Sequence, residues 1–165
     1  MTSEHLLHTI PPIYDGNSKI LILGSFPSVK SREVSFYYGH PQNRFWRVLA
    51  AVLGCAVPSS NEEKTDLLHS HNIALWDVIK SCDIVGSSDS SIKNVVPNDI
   101  GAILSSCGIR QIYSNGKTSE KLFNKYIKDT VGRDTVALPS TSPANASYNL
   151  ERLTDSWSVI KNNIR

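Results

Sequence analysis

The chain has 165 residues, 40 % of them apolar and 19 % charged, with a formal net charge of +2. That balance excludes a disordered polypeptide and a strongly basic nucleic-acid module, though not a protein that grips nucleic acid through a few local contacts. No apolar run approaches the roughly 20 residues of a membrane-spanning helix, and MTSEHLLHTIPPIYDG has no basic start followed by an apolar block, so no membrane association or secretion is expected and the cytoplasm is the default compartment.

A chain of this length predicts one domain, 1–165, with 1–18 as an N-terminal extension packed on it. Residues 19–23, KILIL, predict a buried strand that stops at Gly24. Pro41 to Leu53 predicts a helix, because Phe45, Val48, Leu49, Val52 and Leu53 recur at helical spacing and Gly54 ends the run. Asn61 to Ser70 predicts a second helix, and Ile73 to Ile79 a strand followed by a polar loop, SCDIVGSSDSSIKNVVPND. Ile100 to Ser105 reads as a short helix and Gln111 to Tyr113 as a strand. SNGKTS then leads into a helix with Leu122, Phe123, Tyr126 and Ile127 on one face. Thr135 to Leu138 is the last strand, and the terminal helix carries Leu150, Leu153, Trp157, Ile160 and Ile164.

Strands alternating with helices predict an α/β fold around a short, largely parallel sheet. Ligands of such sheets sit beyond the carboxyl ends of the strands. That rule selects three loops: GSFPSVKS after the first strand, SNGKTS after the third and PSTSPANAS after the last.

Several other chemistries are excluded by spacing. NGKTS lacks the earlier glycine of a phosphate loop, since position 111 is Gln; Lys117 could still meet a phosphate at a helix N-terminus. No G-x-S-x-G nucleophile elbow and no dinucleotide fingerprint is present. Cys55, Cys82 and Cys107 are isolated and read as three buried thiols, and the His69 and His71 pair does not suit a metal at a helix end. No metal and no organic cofactor is expected.

The stretch FYYGHPQNRFW, 36–46, places five of the thirteen aromatic residues in eleven positions, with His, Asn and Arg among them. Phe45 and Trp46 follow or flank helical spacing and read as core. Tyr37 and Tyr38 precede the helix and are less well explained by packing. GSFPS (24–28), YYGHPQNRFW (37–46) and LPSTSPANA (138–146) resemble the motifs of the uracil-DNA glycosylase superfamily. HPQNRFW is similar to the mismatch-specific uracil/thymine enzymes. The whole set, with LWDV (75–78) and GSSDSSI (86–92), is most similar to the hypoxanthine-DNA glycosylase, or DNA-deoxyinosine glycosylase, branch.

The resemblance implies a three-layer α/β/α sandwich around a mainly parallel sheet. It also implies a monofunctional DNA repair glycosylase that flips a deaminated base and hydrolyses its N-glycosidic bond, with hypoxanthine first and uracil second. The partner is then DNA containing a deaminated base, bound by a monomer. Phe26 stands where much of the superfamily has a water-positioning Asp or Asn. Leu138 stands where several relatives have a donor to the leaving base. The hypoxanthine branch shares both departures and relies on the Asn of its HPxN stretch, which is Asn43 here. Asn43 can orient a water through its amide oxygen or donate to the base through its NH₂, and the sequence leaves both open.

Gly24, Ser25, Phe26 and Pro27 would form the base-binding turn, with Phe26 as a wall, Tyr38 as the stacking ring, and His40 and Ser140 beside the base. His40 could instead only lock the turn before Pro41. Ser28, Lys117, Ser142, Pro143, Ala144 and Asn145 would supply the DNA wedge and phosphate grip. Arg44 and Arg47 read as residues of a solvated helix face. Asp77 and Asp89 are the carboxylates best placed near the site, with a structural hydrogen bond at Asp77 as the plainer role. No lysine of the motif stretches is expected in the pocket, which argues against lyase chemistry. The competing readings are a catalytically inactive damaged-DNA or single-strand binding module on the same fold, and a small-molecule nucleoside hydrolase.

Overall fold

Residues Ile20–Gly24 form a strand whose five side-chain positions are all buried, and its two faces feed different cores. Ile20 and Ile22 join one apolar cluster, Leu21 and Leu23 the other. This is the pattern of a parallel strand covered on both sides. The computed structural model describes residues 2–86 and 88–165; Met1 and Ser87, the latter within GSSDSSI, lie outside the described residues.

In chain order the elements are β1 (Glu4–Leu7), β2 (Ile20–Gly24), α1 (Val29–Val34), α2 (Phe45–Leu53), α3 (Asn61–Ser70), β3 (Ile73–Asp77) and β4 (Ile79–Ile84). There follow β5 (Lys93–Pro97), α4 (Ile100–Ser106), β6 (Gln111–Asn115), α5 (Lys117–Tyr126), α6 (Lys128–Val131), β7 (Thr135–Leu138) and α7 (Leu150–Trp157). Strands β3-β2-β6-β7 form an all-parallel sheet. Phe45, Trp46 and Leu49 of α2, Leu68 of α3 and Leu153 and Trp157 of α7 pack on one face. Ile100 and Ile103 of α4 and Phe123 of α5 pack on the other. The expected α/β architecture with a mainly parallel sheet between helices is present.

The predicted polar loop at 81–99 carries strand near both of its ends, at 81–84 and 93–97. β4 pairs antiparallel with β1 on one side and with β5 on the other in a second, three-stranded sheet. The predicted strand at 73–79 is likewise two strands, divided at Val78. β5 is mostly exposed, and an edge strand held by backbone hydrogen bonds needs no apolar alternation to reveal it. The helix expected from Pro41 begins instead at Phe45, after a turn in which the Asn43 N–H donates to His40 O at 3.0 Å. An unexpected helix, α1, follows GSFPS, capped by the Ser28 hydroxyl accepting from the Ser31 N–H. Of the three thiols expected to be buried, only Cys82 is; Cys107 is half-buried and Cys55 exposed.

From β2 the chain continues to β3 on one side and later returns to β6 on the other. The crevice beyond the carboxyl ends of these strands is the switch point where ligands of open α/β sheets bind. Gly24, Asp77 and Asn115 stand at those three ends.

Candidate active site

A cavity of about 450 Å³ opens at the switch point, within the roughly 300–1,000 Å³ range of small-ligand sites. All three loops selected from the sequence line it. Gly24, Ser25, Phe26, Pro27 and Ser28 come from the first, Lys117 and Thr118 from the second, and Ser140, Thr141, Ser142 and Ala144 from the third, with Tyr37, Tyr38 and Asn43 from the aromatic stretch.

Asn43 is fixed by two donors to the same atom. Its Oδ1 accepts from the Phe45 N–H at 3.0 Å, one of the orphan donors at the start of α2, and from the Thr141 hydroxyl at 2.9 Å. Because a backbone N–H can only donate, the amide oxygen is assigned to this side and the NH₂ to the other. Thr141 is fully buried. Its hydroxyl accepts from Asn115 Nδ2 at 3.0 Å and its N–H donates to Asn115 Oδ1 at 3.1 Å. The chain of bonds Asn115–Thr141–Asn43 is closed, and the Asn43 NH₂ has no protein acceptor among the described residues.

A second part of the lining is built on Tyr38, Asp77 and the N-terminal segment. Tyr38 has φ +52°, an uncommon left-handed conformation for a bulky residue, and its ring stacks on Phe45 with centroids 4.0 Å apart. Its hydroxyl is buried with no hydrogen-bond partner among the described residues. Burial, and then the negative charge of Asp77, hold this phenol well above its ordinary range, with the nearby Asn115 amide opposing only in part. Asp77 Oδ2 accepts from His8 Nε2 at 2.8 Å, and both side chains are almost completely buried, 5 % and 1 % exposed. A methyl at Gly24 would stand 2.3 Å from Asp77 Oδ1 and 2.9 Å from the Tyr38 hydroxyl, so only glycine lets these groups lie over β2. The Asn98 amide donates to Asp77 O and Ile79 O, which holds the backbone at the strand end.

Not every expected residue reaches the cavity. His40 is exposed outside it, and its Nδ1 accepts from the Gln42 N–H, so it locks the turn instead of meeting a base. Pro143 and Asn145 also lie outside the lining, and Asn145 spends its NH₂ on Ser140 O. Ser140 lines the cavity with its hydroxyl accepting from the Ser142 N–H. Leu138 belongs to the core, 5 % exposed, so packing accounts for its apolar character. Tyr37 is core as well: its hydroxyl donates to Ile10 O and Pro11 O, and burial pushes its pKa far up.

Arg44 does not solvate a helix face. Its guanidinium bonds the carbonyls of Ser142, Asn145 and Tyr148 and so clamps the last loop, while Trp157 Nε1 holds Pro139 O at 2.9 Å from below. Lys117, from outside the motif stretches, lines the cavity and is exposed at the first position of α5. Asp89 sits at the rim, its carboxyl pushed above the usual range by partial desolvation. Among the described residues no group of three or more His, Cys, Asp or Glu could hold a metal ion.

The sequence reading missed His8, Asn115 and Thr141. Asn115 ends a strand at the carboxyl edge, which the loop rule could have flagged. Thr141 sits between the two serines it did select. His8 carried no local signal at all.

Fold and site thus define an α/β protein with a cavity, lined largely by polar residues, beyond the carboxyl ends of its parallel strands. The sequence profile of the uracil DNA glycosylase superfamily matches residues 11–162, and the chain belongs to that superfamily. It is 36 % identical over 137 residues to a hypoxanthine DNA glycosylase of Methanosarcina barkeri, covering 82 % of this chain and 85 % of that one. It is 34 % identical over 152 residues to a hypoxanthine DNA glycosylase of Methanosarcina acetivorans, covering 91 % and 94 %. The solution NMR structure of a provisionally assigned uracil DNA glycosylase from Methanosarcina acetivorans superimposes with a TM-score of 0.79 at 33 % identity, over 92 % of this chain and 94 % of that one.

Proposed function

We propose that this chain is a monofunctional DNA glycosylase that hydrolyses the N-glycosidic bond of a flipped deaminated nucleotide, deoxyinosine above all. The observation that carries the reading is the Asn43 amide, its oxygen tied down by Phe45 N–H and Thr141 and its NH₂ left to the cavity. Deamination replaces an exocyclic amino donor with a carbonyl acceptor. A fixed NH₂ therefore pairs with the carbonyl of hypoxanthine and meets the amino group of adenine donor to donor. The same bond strengthens as the departing base gathers negative charge, so recognition and leaving-group stabilisation share one contact.

Extruding the nucleotide costs a few kcal/mol, and a stacking ring returns roughly 1–3 kcal/mol. Tyr38, braced on Phe45, supplies the ring, and the Arg44-clamped loop at 140–145 the wedge. Ser28, Lys117, Ser142 and Ala144 at the mouth suit the flanking backbone.

The test is single-turnover base release from duplexes carrying deoxyinosine, deoxyuridine, deoxyxanthosine or a thymine mismatch, with deoxyadenosine as the control. Deoxyinosine is expected to react fastest, and Asn43→Ala to lower its rate by about 10²–10³. Borohydride is expected to trap no protein–DNA adduct through Lys117. No release from any duplex, with binding intact, would reduce the protein to a binding module.

A further inference from the structure

Asn43 cannot also serve as the acceptor that aligns the attacking water, because both donors to its oxygen are already in place. Phe26, in the first loop, brings no polar group to the task. A buried carboxylate elsewhere in the lining is available instead. Asp77 gives one oxygen to His8, and its Oδ1 receives no protein donor among the described residues. The Tyr38 hydroxyl closes over the same point of β2, buried and unpartnered. A buried hydroxyl without a partner marks a missing one, water or ligand.

We propose that Asp77 is the catalytic base of this site, that a hydrolytic water is held between its Oδ1 and the Tyr38 hydroxyl, and that His8 is the positioning residue that aims the carboxylate. The inference rests on the glycosylase reading above and adds to it the group that handles water. The Tyr38 O–H donates to the water oxygen, and the water donates one O–H to Oδ1, a charge-assisted bond. His8 restrains the carboxylate by donating to Oδ2. The C1′–N9 bond breaks with its electron pair leaving on the base. The water oxygen bonds to C1′, and its proton passes to Asp77. That proton then neutralises the released hypoxanthine anion through solvent, which restores the carboxylate. The net reaction adds one water and yields the free base and an abasic sugar. Two groups of the lining thus divide the chemistry, Asn43 taking the leaving group and Asp77 the nucleophile.

Single-turnover release from a deoxyinosine duplex tests this when paired with two binding measurements on non-reacting duplexes. One duplex carries an uncharged tetrahydrofuran at the target position, the other a cationic pyrrolidine. Asp77→Asn is expected to lose about 10²–10⁴ in rate. It should bind the tetrahydrofuran duplex as the parent does, yet lose about 10-fold or more for the pyrrolidine, whose charge the carboxylate faces. Tyr38→Phe should lose about 10-fold in rate, the effect of one hydrogen bond. His8→Ala should lose a similar factor, which His8→Gln, with an N–H to donate, largely restores.

Asp77→Asn reacting within about 3-fold of the parent overturns the assignment and leaves the glycosylase reading standing. So does a rate loss matched by equal loss of tetrahydrofuran binding, which would mark a structural role. Should Asp77→Asn not fold, Tyr38→Phe decides: it leaves the carboxylate and His8 intact, and the parent rate in that variant overturns the proposal. A parent protein that releases nothing from deoxyinosine takes down the reading and this inference together.

Discussion

The cavity has two walls of similar composition and opposite saturation. On one, Asn43, Thr141 and Asn115 spend their acceptors and hydroxyl on one another, and one NH₂ remains over. On the other, the Tyr38 hydroxyl and one oxygen of Asp77 are left open, held close only because residue 24 has no side chain. A fully satisfied buried network rigidifies what it holds. Open buried atoms are completed by something that arrives. The first wall therefore presents a group, and the second receives one.

Breaking the second wall should have the larger effect. Gly24→Ala puts a methyl against Asp77 Oδ1. It should lower stability in urea melts by about 1–3 kcal/mol and single-turnover release by about 10²-fold, the scale of a small misplacement of reacting groups. Thr141→Val breaks the first wall, leaving Asn43 Oδ1 with a single donor and Asn115 Nδ2 with no acceptor. A cost of about 1–3 kcal/mol follows for the unpaired buried groups, with a rate loss near 10-fold from a less fixed amide. Thr141→Ser, which keeps the hydroxyl, should recover most of both. If Thr141→Val proves worse than Gly24→Ala in rate, saturation is not what separates the walls.

Arg44→Lys sharpens the comparison from outside the cavity. A lysine cannot span three carbonyls as a guanidinium does, so the loop at 142–148 should become protease-sensitive. Duplex affinity should fall by a factor of about 3–10, with stability down by about 1 kcal/mol. The smallest effect at ordinary pH is that of the tyrosines. Tyr37 and Tyr38 are raised in the folded chain by burial and by Asp77. Their contribution is complete below the unfolded pKa of about 10 and is lost as pH climbs beyond it. Urea midpoints should be unchanged by this pair up to pH 9 and should fall by pH 11, less steeply in Tyr38→Phe.

The parallel sheet and its loops were legible because buried strands on both faces read as apolar runs, and because ligand loops are forced to the carboxyl ends. Asn43 was legible from its motif, whereas the direction of its amide was not. That direction depends on Thr141, 98 residues away. The antiparallel sheet escaped notice because β5 is mostly exposed and β1 is only four residues long. With it went His8, which that sheet delivers to a partner 69 residues on. Arg44 was misread for a similar reason: the carbonyls it binds belong to a loop about a hundred positions later.

Those long spans have a consequence for how the protein is made. The links His8–Asp77 and Asn43–Thr141 together reach from the first strand to the last loop. Contacts so far apart in sequence carry a high loop-closure cost and form late. A nascent or clipped chain that lacks the segment after β7 has no Thr141 to turn the Asn43 amide and no loop for Arg44 to clamp. The cavity as described is therefore assembled only once the segment after β7 has joined the sheet.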